Sequence, residues 1–227
     1  MASLVAACVF FVGIHVVISG SPLRGRIVGV IGERPYLGMF SLLSIAGMVW
    51  LAWAYAHADS IWLWSPPVAL RWAAPALVLV AFLFVVIGLT TPSPTAAGGE
   101  SRLDLAAPAQ GILRVTRHPF LWGVALWAAT HLALNGDAAS LLLFGSLLLL
   151  SLVGPLLIDG KRRRAFGPKW ERFAAVTSNV PFAAIAGGRN RLEWREIGTW
   201  RWMTALGAWA AMLALHPVLF GVPALPA

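Results

Sequence analysis

Two histidines, an arginine and a closing Asn-Gly-Asp are built into one apolar stretch, TRHPFLWGVALWAATHLALNGD, Thr116–Asp137. Imidazole ligates metals and moves protons near neutral pH, and guanidinium grips carboxylates and phosphates, so chemistry and punctuation coincide here. Proline disfavours the α region for the residue before it and suits a first helical turn, which sets Arg117 and His118 at a helix entrance. Asn135-Gly136 supplies a left-handed stop, and Asp137 can cap whatever follows. A helix of about sixteen residues then separates His118 from His131 by roughly 20 Å along the axis and about 140° around it. No single ion or small ligand can be held by both. His118 marks a mouth at the membrane surface, and His131 marks something inside.

A third histidine, His15, lies in GIHVVIS with Ser19 one helical turn away on the same face. An ionisable side chain in hydrocarbon faces the bundle interior and has a partner. Two readings of His15 stand side by side: a neutral ring bonded to a neighbouring carbonyl or serine, or a metal or haem ligand. The lone Cys8 leaves no intrachain disulfide, four-cysteine zinc site or iron–sulfur cluster, and reads as a small buried apolar side chain.

The elements that must position these groups are membrane helices. Of 227 residues 59% are hydrophobic and 11% charged, and the mean hydropathy is +0.78. Six apolar runs are long enough to cross roughly 30 Å of hydrocarbon: Ala2–Ser19, Tyr36–Ala56, Trp72–Thr90, Pro119–Leu134, Ala139–Ile158 and Trp202–Gly221. The expected fold is all-α, a polytopic bundle of six transmembrane helices in one domain, residues 1–227, with a cytoplasmic basic loop at 159–201. Charge supports that count. Loops one, three and five carry sixteen of the seventeen basic residues, leaving only Arg71 on the other side, which puts both termini outside. The net charge of +8 is accounted for by topology and anionic lipid headgroups, and nucleic acid is not an expected partner.

Finer expectations follow along the chain. Gly38, Ser41, Ser44 and Gly47 have the small-residue spacing that lets another helix approach closely. Pro75 falls in the first turn of the third span. The 22-residue stretch TTPSPTAAGGESRLDLAAPAQG reads as a mobile loop. Asp159-Gly160 ends the fifth span, Phe166, Trp170 and Phe173 predict an amphipathic helix on the membrane surface, and His216-Pro217 predicts a helix stop.

GIHVVISG, GERPYLGMFSLLS, GILRVTRHPFLWGVALWAATHLALNGDAASLLLFG and IDGKRRRAFGPKWERFAAVTSNVPF together resemble the NnrU family, over most of the chain up to Phe182. The resemblance implies a multi-pass protein of the bacterial inner membrane that supports nitrite and nitric oxide metabolism, the chemistry of denitrification. Through the family's plant relatives, the 15-cis-zeta-carotene isomerases, it also implies haem b held by His15 and His131 as axial ligands. Asn135, one turn from His131, would orient that ring. The same relatives carry a ligand-exchanging cysteine where this chain has Ala128. Three other outcomes remain open: a haem-dependent isomerase of a carotenoid-like polyene or other hydrophobic small molecule, a non-catalytic assembly factor for a respiratory enzyme partner, and a lipid methyltransferase. The last follows from RHP and FGPKWERF, which resemble the isoprenylcysteine and phospholipid methyltransferases. There Arg117 and His118 would face a cytoplasmic cavity for S-adenosylmethionine, with Asp159-Gly160 in place of the family's glutamate pair.

Overall fold

A computed structural model describes residues 1–225 and is built of helices and short turns. The helices are α1 (Ala2–Gly13), α2 (Leu23–Ile31), α3 (Glu33–Ala56), α4 (Val68–Thr90), α5 (Pro119–Asn135), α6 (Ala138–Phe166), α7 (Pro168–Val176), α8 (Ala183–Ala186) and α9 (Thr199–Phe220). Among the described residues five segments are long and apolar enough to cross a membrane: Ala2–Ser19, α3, α4, α6 and α9. Their outer faces expose apolar side chains such as Val9, Leu42, Leu156 and Val218. A bundle that shows this much hydrocarbon all round is a multi-pass membrane protein, because water would not tolerate such a surface.

Contacts between neighbours order the long helices as α9, α4, α5, α6, α1, α3. The stretch with the densest chemistry therefore runs through the middle of the row. Its limits are local in origin. His118 caps α5 with Pro119 in the first turn, Gly136 ends it at φ 69° and ψ 14°, and the Asp137 carboxylate accepts from the Ser140 backbone N–H at 2.8 Å to start α6. The 17 residues of α5 rise about 26 Å, slightly less than the hydrocarbon thickness.

The backbones of α4 and α5 meet at Gly123, where a Cβ would lie 2.6 Å from Val85 Cγ2 and 2.8 Å from both the Ala81 carbonyl oxygen and the Val85 nitrogen. Two of those three atoms are backbone and cannot rotate away. Gly123→Val is expected to cost about 1–3 kcal/mol through overpacking, read as a lower melting temperature in detergent. An unchanged melt would mean that the helices do not approach this closely. In α3 only part of the small-residue row is used in this way. A Cβ on Gly47 would meet Phe10 and Phe11 of α1 at 3.1 Å, whereas Gly38 has nothing within 4 Å.

Several local expectations are corrected by packing. The fifth span does not end at Asp159-Gly160. α6 carries Lys161–Arg164 as its last turns and stops at Gly167, φ 46°. α4 begins four residues earlier than Trp72, so Pro75 lies inside the helix, with its carbonyl accepting from Trp209 Nε1 of α9 at 3.1 Å. α9 runs through His216-Pro217 and stops at Gly221, φ 72°. The polar stretch after α4 is structured: it folds through a 3-10 turn at Glu100–Asp104 and buries Leu103. α7 is amphipathic, but its apolar side chains Trp170 and Phe173 are wholly buried against Leu103 and Ala109. An amphipathic pattern shows that a face is covered without showing what covers it, and here the cover is protein.

Candidate functional site

His15 is the second residue of a six-residue π-helical turn, Ile14–Ser19, that continues α1. Such turns insert a residue into the helical ladder and are frequent at functional positions. The half-buried ring lies between Phe11, 4.5 Å away between centroids, and Phe40 of α3 at 5.2 Å. Its Nδ1 is 2.8 Å from the Phe11 carbonyl oxygen. A carbonyl can only accept, so Nδ1 carries the proton and Nε2 of the neutral ring keeps its lone pair.

His131 repeats this arrangement in α5. Nδ1 donates to the Trp127 carbonyl at 2.9 Å, and the ring packs against Trp127 at 4.7 Å and Phe144 of α6 at 5.2 Å. That leaves Nε2 as the free nitrogen here too. The atom that fixes the ring is thus the helix's own carbonyl one turn back, while Asn135 lies half-buried at the end of α5. His57 shows the same bond to Trp53, but on an exposed helix end. Burial therefore distinguishes His15 and His131, and the bond alone does not. The two rings occupy different helix pairs, α1–α3 and α5–α6, joined by a buried apolar cluster that includes Phe11, Ala128 and Phe144. Among the described residues no group of three or more His, Cys, Asp or Glu side chains is gathered for a metal ion.

Arg117 and His118 meet Asp159, which the methyltransferase resemblance alone had set near them. Asp159 of α6 accepts from Arg117 Nε at 2.9 Å and Nη2 at 2.5 Å on one oxygen, and from His118 Nε2 at 2.7 Å on the other. The cluster is sealed: His118 is 3% exposed and Asp159 8%. Burial holds His118 below the ordinary imidazole range despite the adjacent carboxylate, whose charge is already matched by Arg117. The ring is then neutral at pH 7 and donates through Nε2. The surrounding loop fixes the geometry. Arg117 N–H donates to the Ser178 carbonyl, the Thr95 hydroxyl donates to the Arg117 carbonyl at 2.9 Å, and the guanidinium lies over the Trp170 ring, 6.0 Å from its centroid. In the methyltransferase reading Asp159 would serve the cofactor. Here both of its oxygens are occupied by side chains.

Two more ion pairs tie the polar segments to this end of the bundle. Arg114 grips both oxygens of Glu196 at 2.7 Å and reaches Asn190 Oδ1 with its remaining nitrogen. That guanidinium holds the Glu196 carboxyl below the usual carboxylate range. Arg162 of α6, 8% exposed, donates to Glu100 and to the Ala96 carbonyl.

Comparison with known proteins gives this arrangement a family. Two curated plant proteins are similar to the chain, both chloroplastic 15-cis-zeta-carotene isomerases. The one from Zea mays is 27% identical over 170 residues, covering 72% of this chain and 45% of the relative. The one from Arabidopsis thaliana is 26% identical over 167 residues, with the same shares. The chain thus spans about half the length of the curated relatives it matches. No solved structure matches it. The family described as NnrU protein matches residues 3–224, through every helix described above, and the chain belongs to it.

Proposed function

We propose that the protein is an NnrU-type protein of the bacterial inner membrane that holds haem b between His15 and His131 and supports nitrite or nitric oxide metabolism. The observation that carries this reading is the matched state of the two rings. Both are neutral imidazoles inside the bundle with Nδ1–H fixed on the helix carbonyl one turn back, which directs the lone pair of Nε2 away from the helix backbone. That is the donor state a haem iron takes from histidine, and orientation of the ring by its other nitrogen is the usual support for such a ligand. Bound haem would supply a one-electron centre within the membrane. The chain's own part is to keep the rings neutral, aromatic-walled and away from water. Asn135 would act beside His131 as a second polar contact.

Topology belongs to the same reading. Counting α5 as a sixth span, because it is packed on both sides by spanning helices, gives one domain over 1–227. Both termini are then periplasmic, and the basic 159–201 segment is cytoplasmic. The lipid bilayer and a respiratory enzyme are the partners this placement offers. The name of the plant relatives favours a second reading, cis–trans isomerisation of a carotenoid-like polyene, for which the haem proposed here would be the reactive centre. In this chain the buried Ala128 leaves no thiol one turn before His131.

The test is the oxidised-minus-reduced spectrum of the purified protein with pyridine haemochrome quantification. One b-type haem per chain is expected, and His15→Ala and His131→Ala should each lower occupancy by more than about tenfold. Full occupancy with an unchanged spectrum in either variant would remove that residue from the ligand set. Reduction-dependent turnover of a cis-polyene by the haem-loaded protein would select the isomerase reading.

A further inference from the structure

A cavity of about 340 Å³ opens between the segment 103–109 and α7, with no histidine in its lining. Leu103, Leu105 and Val176 form part of an apolar wall, and four cationic side chains, Arg114, Lys169, Arg172 and Arg189, line the polar side with Asn190. No carboxylate is among the lining residues. The four cations are unequally committed. Arg114 is spent on Glu196 and Asn190. Lys169 meets Asp104 in a pair that is more than half exposed at both ends and is worth little.

Arg189 differs in kind. Its Nη1 donates to the carbonyls of Ala175 and Thr177 at 2.8 and 3.0 Å, which fixes the guanidinium plane where α7 ends. Nε–H and Nη2–H have no acceptor among the described residues, and that edge is the one with which arginine grips two oxygens of a single anion. Arg172 likewise has no carboxylate partner among the described residues. A fixed fork, a second uncommitted cation and an apolar wall therefore share one cavity. Its volume falls within the roughly 300–1,000 Å³ of small-ligand sites.

We propose that this cavity binds a phosphate anion, with Arg189 and Arg172 on the oxygens and the apolar wall receiving the tail of a phospholipid. The assignment is independent of the histidines, so haem occupancy and phosphate binding fail or succeed separately. Native mass spectrometry of the full chain, purified in a neutral detergent and titrated with phosphatidylglycerol or phosphatidylcholine, reads the site directly. Phosphatidylglycerol should be retained in preference to phosphatidylcholine. Arg172→Gln removes an exposed charge that holds nothing else, and should weaken retention about fivefold with an unchanged melting temperature. Arg189→Lys keeps the charge and loses the fork, and should weaken it by a similar factor. Inorganic phosphate is titrated in parallel. If it binds the lipid-free protein with the same dependence on both arginines, the site takes the anion without a tail; if only the lipid binds, the tail is required. Equal retention of the two lipids, or retention unaffected by either variant in folded protein, with no arginine-dependent phosphate binding, would overturn the proposal.

Discussion

Asp159→Ala is expected to destabilise the protein by about 3–5 kcal/mol, because it strands the Arg117 guanidinium, only 13% exposed, without a counter-charge. Both carboxylate oxygens are in use, and the three side chains are nearly closed to solvent. Removing Asp159 therefore does more than delete three hydrogen bonds. It leaves His118 Nε2–H and the Arg117 donors in a site too dry to hydrate them. The measurement is the melting temperature and monodisperse fraction in detergent. Asp159→Asn separates charge from shape, since it keeps an acceptor but loses the anion, and should fall between wild type and Asp159→Ala. A double-mutant cycle with Arg117→Met isolates the pair. The double variant should be less damaged than the sum of the singles, because removing both partners leaves no unpaired charge. Additive losses, or a cost below about 1 kcal/mol for Asp159→Ala, would show that water reaches the cluster.

Asp159 also shows where sequence reading reached its limit. Pro119, Gly136 and Asp137 act within a few residues of themselves, so the ends of α5 and the start of α6 follow from local rules and appear as expected. The Arg117–Asp159 pair closes over 42 residues, and nothing in the spacing of either stretch selects the other. The same holds for α7, whose apolar face was readable while its cover, Leu103 and Ala109, was not. The π turn at His15 is invisible for a different reason: an extra residue in a helical ladder leaves the apolar pattern of GIHVVIS intact. The interior positions of His15 and His131 were legible because a titratable group in hydrocarbon is conspicuous. The direction of their free nitrogens was not legible, since it depends on which carbonyl each ring reaches.

Gly136 supports the second large effect, at the far end of α5. Its φ of 69° is left-handed, which costs an L-residue about 1–2 kcal/mol. A Cβ there would also fall 2.0 Å from the Trp64 carbonyl oxygen, so the segment lying over the turn must move. That segment is attached through Gly136 itself: the Leu63 and Trp64 N–H groups both donate to the Gly136 carbonyl, at 2.8 and 3.0 Å, and the Ala138 N–H donates back to Ile61 at 2.9 Å. Gly136→Ala is therefore expected to cost about 3 kcal/mol, from backbone strain plus the weakening of bonds worth roughly 1 kcal/mol each. Hydrogen exchange at the amides of Leu63, Trp64 and Ala138 should accelerate together, ahead of the amides in the middle of α5. Gly136→Asn distinguishes the two causes, because asparagine tolerates the left-handed region but still carries a Cβ. If Asn restores stability, strain dominates. If Asn is as damaging as Ala, the close approach of Trp64 does, and this strap is what holds the α5–α6 turn, one helical turn from His131, in place.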